Sequence, residues 1–209
     1  MKKPLMWLTA ALASCAMAGV GHAANLIVNG DFSTPNVGSG FGDFASIPGW
    51  TSNTGDSLEV GSSPIYGLSC YTTACQNLEV NANTFGSVSQ TVTLTAGEKY
   101  TLSWVYGGRN AGGPQQLDVL FGGALVGVDN SNGVTASWTP NSVTLVATSS
   151  SETLTFTSVD VGGSPSFGNE LTGVSLSAVP EPASWALMLI GAAATGAGLR
   201  RRRGAAAAA

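Results

Sequence analysis

Histidine is nearly missing from this chain. The single one, His22, falls in the first 23 residues, so residues 24–179 have none. Without imidazole there is no Ser-His-Asp or Cys-His pair to activate a nucleophile, and no histidine ligand for zinc. Basic residues are almost as scarce in that segment. Eleven acids (Asp31, Asp43, Asp56, Glu59, Glu79, Glu98, Asp118, Asp129, Glu152, Asp160 and Glu170) stand against two bases, Lys99 and Arg109, a formal charge of −9. Such a surface repels phosphate backbones, which excludes nucleic acid as a partner. Cysteine is limited to Cys15, Cys70 and Cys75, and no long stretch shows helical periodicity before residue 180.

What is present begins at the two ends. Residues 1–23 read as a secretory signal peptide: Lys2 and Lys3, an apolar run from Leu5 to Val20, and the small-x-small cleavage signal Gly21-His22-Ala23. Leu12-Ala13-Ser14-Cys15 also matches a lipobox, which would place a lipid on Cys15 instead. At the other end, residues 179–182 contain Pro180-Glu181-Pro182. An uncharged run of 17 residues follows, from Ala183 to Leu199, with Trp185 near its start and Arg200, Arg201, Arg202 and Arg203 after it. At about 1.5 Å per residue the run reaches about 25 Å, close to the hydrocarbon thickness of a bilayer. An interfacial aromatic and a cytoplasmic basic stop predict a transmembrane helix over 183–199 and a basic cytoplasmic tail over 200–209. A buried helix followed by a basic surface patch is the alternative.

Between these ends, residues 24–178 predict an all-β domain of about the size that buries one proper core. Val88, Gln90, Val92 and Leu94 share one face of a strand whose other face carries Ser89, Thr91, Thr93 and Thr95. Tyr100, Leu102, Trp104 and Tyr106 alternate with Thr101, Ser103 and Val105. This is period two with β-branched and aromatic enrichment. The pattern continues at 117–121, 124–128, 142–148, 153–159 and 171–178, with turns at Gly122-Gly123, Asn132-Gly133 and Gly162-Gly163. Weak strands, such as 57–60, are expected in the region from Phe32 to Tyr66, which is rich in glycine, serine and proline. Seven or more short strands at this spacing predict a β-sandwich.

The tail, on Pro180-Glu181-Pro182, Trp185, the apolar run with Gly191 and the four arginines, resembles the PEP-CTERM sorting signal of Gram-negative bacteria. The resemblance implies recognition by an exosortase-type membrane protease, transient anchoring in the inner membrane, and delivery to the cell surface or the extracellular polysaccharide matrix. The ordered motifs Asn25–Phe32, Ile47-Pro48-Gly49-Trp50, Gln76–Val80, Gly86–Thr91, Ala96–Trp104 and Leu171–Leu176 resemble the galactose-binding-like jelly rolls found ahead of such tails. Members of that family often carry an acid after the opening phenylalanine and an Asp or Asn before the last strand, as part of a calcium site. This chain has Ser33 and Gly173 there.

Candidate functional residues follow from chemistry. Trp50 and Trp138 have rings that stack on sugars or close the end of the sandwich, whereas the alternation places Trp104 in the core. Arg109-Asn110 sits in a loop after a strong strand. Its guanidinium suits a sugar hydroxyl or carboxylate, or a salt bridge to a nearby acid. Asp31, Glu59 and Asp160 are weak calcium candidates, hard oxygen donors without EF-hand spacing; no other cofactor is expected. Cys70 and Cys75 predict a disulfide in an oxidising compartment. Asp56 with Glu59, or Asp118 with Asp129, would form carboxylate pairs of the kind glycosidases use. The expected function is a non-catalytic module associated with carbohydrate or exopolysaccharide. The alternatives are a structural or adhesive surface protein without a specific ligand, and a carboxylate-dependent glycan-active enzyme.

Overall fold

The structure, a computed structural model, describes residues 23–179 together with Ile190, Gly191 and Ala193. The expected signal peptide, Cys15, Pro180-Glu181-Pro182, Trp185 and Arg200 to Arg203 lie outside the described residues. Among the described residues no helix is long and apolar enough to cross a membrane.

Residues 24–179 build a jelly-roll sandwich of two antiparallel sheets. The strands are β1 (Phe41–Phe44), β2 (Thr51–Ser52), β3 (Leu58–Ser62), β4 (Gln76–Glu79), β5 (Ser87–Thr93), β6 (Lys99–Gly108), β7 (Gln115–Phe121), β8 (Ala124–Ser131), β9 (Ser137–Val146), β10 (Ser151–Val159) and β11 (Asn169–Ala178). One sheet has the order β1-β3-β4-β11-β6-β9 and the other β2-β5-β10-β7-β8. The alternation seen in the sequence sets their facing. Val88, Val92, Leu102, Trp104, Leu117, Val119, Leu154, Phe156, Leu171 and Leu176 fill the space between the sheets, where each large side chain contributes roughly 1.5–3 kcal/mol by leaving water.

Two boundaries differ from the expectation. The strand expected from Ser142 begins at Ser137, because β9 is an edge strand and an edge tolerates Pro140, whose missing N–H costs no ladder bond on the open side. In the glycine-rich region before Tyr66, where weak strands are expected, the segment expected at 57–60 forms β3 from Leu58 to Ser62, preceded by β1 and β2.

Two features set the outer face of the six-stranded sheet. Leu26 N–H donates to the Leu176 carbonyl, and Val179 N–H donates to the Lys99 carbonyl. The chain therefore enters and leaves at the same end of the six-stranded sheet, at the start of β6. The far end of β6, about 30 Å away at the usual rise of a strand, carries Gly107 and Gly108. The second feature is a strap, residues 63–75, that crosses the outside of this sheet. It begins with a short 3-10 helix, Ser63–Tyr66, and closes with the expected Cys70–Cys75 disulfide.

Candidate functional site

The register of the six-stranded sheet puts four acids side by side on its outer face. Asp43 lies opposite Glu59, Glu59 opposite Glu79, and Glu79 opposite Glu170, on β1, β3, β4 and β11. The same row continues to Gly107 on β6 and Trp138 on β9. The strap seals its middle. Tyr66 lies on Gly61, where any Cβ would collide with its ring, and its hydroxyl donates to Glu59 Oε1 at 2.5 Å. Glu79 and Glu170 are left with 1% and 0% exposure.

Arg109 neutralises part of this charge. Its Nη1 donates to Glu79 Oε2 at 2.8 Å, and its guanidinium is stacked between Tyr66 and Phe167, 4.7 and 4.4 Å from the ring centroids. Of the two roles open to Arg109, the structure realises the salt bridge. Glu79 also accepts from the Gly168 N–H at 2.7 Å, and Asn77 donates to Glu170 Oε2. Glu170 Oε1 and Asn77 Oδ1 have no partner. One cation among buried acids leaves a charge deficit. Burial raises Glu79 to about 7, against the pull of Arg109 and the Gly168 N–H. Burial and the neighbouring Glu79 push Glu170 well above the ordinary carboxylate range. Burial and the surrounding carboxylates likewise raise Tyr66.

The acid pairs expected from sequence are not the ones that form. Asp118 and Asp129 sit on opposite faces of adjoining strands, since Asp129 pairs in register with Leu117 and Asp118 with Val128. Asp129 turns inward to accept from Trp104 Nε1 at 2.7 Å and Asn141 Nδ2 at 2.8 Å. Asp56 is held by Asn83 and Thr84, while Glu59 belongs to the row described above. Asp31 and Asp160 cap local turns through the N–H groups of Ser33 and Gly162. Among the described residues no three acidic, histidine or cysteine side chains are grouped to hold a metal ion, so Asp31, Glu59 and Asp160 are not brought together.

The aromatic candidates separate clearly. Trp50 does not reach solvent: it is 1% exposed, packs on Phe32 and Phe156, and donates through Nε1 to the Asn29 carbonyl. It belongs to the core and offers no ligand a ring face. Trp138 is half-buried in β9 on the outer face, where Gly107 makes room for it; a Cβ there would lie 2.6 Å from the indole. Its Nε1 donates to the Ser69 carbonyl at 2.7 Å. That bond ties Trp138 to the strap and sets Tyr71, inside the disulfide loop, edge-on to the indole at 6.2 Å between centroids. Tyr71 is 48% exposed. Beside it runs a shallow groove of about 360 Å³ bordered by Tyr71, Ser103, Pro140, Asn141, Ser142 and Gly173, with no charged side chain in its lining. Asn110 is exposed near Gly67, at the foot of the strap.

Comparison with known proteins bears on two parts of the chain. Residues 178–203 match the PEP-CTERM protein-sorting motif. The chain carries that sorting signal. It thus marks an exported protein with a C-terminal membrane-anchoring signal, and it implies processing by an exosortase. The motif starts at the last residue of β11, so the sandwich ends where the signal begins. The sandwich is similar in fold to a Stig cyclase from Fischerella sp. TAU, at 18% identity and a TM-score of 0.51, over 77% of this chain and 99% of that one. A second cyclase from Fischerella sp. TAU gives 17% and 0.51, over 76% and 98%. A xylan-binding domain from Paenibacillus barcinonensis gives 16% and 0.47, over 64% and 87%. At these identities the likeness is one of fold. No curated protein matches the chain.

Proposed function

We propose that this protein is an exported, non-catalytic glycan-binding module, delivered by its sorting signal to the cell surface or the extracellular polysaccharide matrix. The observation that carries the reading is the Tyr71–Trp138 pair on the outer face of the six-stranded sheet, beside a groove of hydroxyl and amide groups. Aromatic rings provide the apolar faces on which sugar C–H groups pack, and short polar side chains provide donors and acceptors for hydroxyls. The pair sits at the end of β6 away from residues 26 and 179. Residues 1–23 supply export as a signal peptide, 183–199 the transient membrane helix, and the exosortase cuts near Pro180-Glu181-Pro182, between the sandwich and that helix.

The non-catalytic part of the reading rests on access. Glu79 and Glu170 have the raised pKa that keeps a general acid protonated, but Tyr66 and Arg109 stand between them and solvent, and their role is structural. The test is retardation of the purified protein in gels containing soluble polysaccharides. A polysaccharide is expected to retard the wild type and to lose that effect with Trp138→Ala or Tyr71→Ala. Retardation unchanged in both variants would remove the groove from the reading. Turnover of glycoside substrates that disappears with Glu79→Gln would replace binding with catalysis.

A further inference from the structure

We propose that the binding face extends beyond the aromatic pair along β11, β6 and β9, and that it takes an extended, uncharged polysaccharide chain in preference to a uronate or sulfated one. This rests on the glycan reading above. The registers place Ser175, Ser103 and Ser142 side by side, and in the next row Ser177, Thr101 and Thr144. All six lie on the same face as Pro140 and Trp138, two and four residues further along β9 from Ser142, and all are half-buried or exposed. Neighbouring strands lie about 4.8 Å apart, and the rows stand about 6.8 Å apart along them. From Trp138 to Thr144 the surface runs for about 20 Å, long enough for several sugar units in line. Ser103 donates to Ser142 at 3.1 Å, which leaves lone pairs and the other hydroxyl protons free for a ligand. A hydroxyl both donates and accepts, so the array can meet sugar hydroxyls in either orientation.

Charge decides between glycan classes. Within residues 24–179 the cations are Arg109 and Lys99. Arg109 is committed to Glu79 and closed between two rings. Lys99 opens β6 and stands one row beyond Thr101, opposite Val146, about 20 Å from Val105 beside Tyr71. That is more than twice the screening length of about 8 Å at physiological salt. A chain bearing a carboxylate or sulfate on every unit would meet one cation at its end, and along its length the field of a domain with eleven acids against two bases. An uncharged chain meets neither penalty.

The experiment uses the full-length protein in detergent, in affinity gels containing neutral polymers (galactan, xylan, mannan, glucan) or acidic ones (polygalacturonate, alginate, dextran sulfate). The expected result is retardation by at least one neutral polymer, unaffected by added salt, with affinity falling about tenfold or more from the hexasaccharide to the disaccharide of that polymer. The exposed replacements Ser142→Glu and Thr144→Glu should each weaken it by about tenfold, while Lys99→Gln leaves it unchanged. If Trp138→Ala abolishes binding but Ser142→Glu and Thr144→Glu do not, the groove stands and the extension is wrong. If an acidic polymer binds, and binds less well with Lys99→Gln or in high salt, the uncharged class is wrong. If no polymer of either kind binds, the glycan reading itself falls and this inference with it.

Discussion

The buried acid row makes the stability of the sandwich fall as pH rises, and Glu170→Gln should relieve part of that fall. Glu79 goes from an ordinary value of 4.5 to about 7 in the folded protein. Between those values the folded chain holds a proton that the unfolded chain has released. The stability linked to that proton is fully present below pH 4.5 and is lost as pH rises through 7. At 1.36 kcal/mol per unit, Glu79 alone accounts for about 3 kcal/mol. Glu170, with no cation in contact and burial raising it further, carries the fall on to higher pH. Replacing Glu170 by glutamine keeps an acceptor for Asn77 and gives the neutral shape of the protonated acid. At pH 5 the variant should therefore match the wild type within about 1 kcal/mol, the scale of one hydrogen bond. At pH 8 it should be the more stable of the two.

The assay is urea unfolding followed by tryptophan fluorescence, at intervals from pH 5 to pH 8. Glu152 does not confuse that window. Burial works against its ionisation, but the Thr148 hydroxyl and the N–H groups of Thr148 and Ser149 win and lower its pKa. Its contribution is thus present above the ordinary value and lost only toward acid. Asp129, raised by burial despite its bonds to Trp104 and Asn141, acts in the same direction as Glu79, so the informative quantity is the difference between wild type and variant. A wild-type profile that is flat or rises between pH 5 and 8, or a Glu170→Gln protein less stable than wild type at pH 8, would refute the reasoning.

The Cys70–Cys75 bridge should leave no free thiol in unreduced, denatured protein. Replacing both cysteines by serine should cost on the order of 2 kcal/mol, the chain-entropy value for so short a loop, read as a lower urea midpoint. Trp104→Phe keeps most of the ring but takes the indole donor from Asp129, and should destabilise by roughly 1–3 kcal/mol, the cost of leaving a buried acceptor unpaired; an unchanged midpoint would show that water replaces the donor. For the tail, changing Pro180, Glu181 and Pro182 to alanine should leave export intact while full-length protein accumulates in the inner membrane, seen by intact mass and fractionation. A variant identical to wild type in mass and location would mean that Pro-Glu-Pro is only a linker.

Much of this fold was legible because period two is a local signal. The alternation at Val88 to Leu94 and at Tyr100 to Tyr106 stated which side chains would be buried, and the structure buries them. Trp138 shows where local signals stop. Pro140 two residues later argues against a strand, and only the position of β9 at a sheet edge overrides it. The acid row is further out of reach. Alternation within Gln76–Glu79 and Asn169–Leu171 puts Glu79 and Glu170 opposite their apolar neighbours, which for a half-solvated sheet means in water. That they are instead buried depends on the strap, and the strap's path depends on contacts distant in sequence. Gly61 and Gly107 lack the Cβ atoms that would displace Tyr66 and Trp138, and the Ser69 carbonyl meets the Trp138 indole. One crossing segment thus does two things. Tyr66 near its start closes over the carboxylates, and Tyr71 near its end is presented beside Trp138. Both belong to a single 63–75 connection closed by Cys70–Cys75, so the cover of the acids and the wall of the groove come from one segment, a relation that exists only in the folded register.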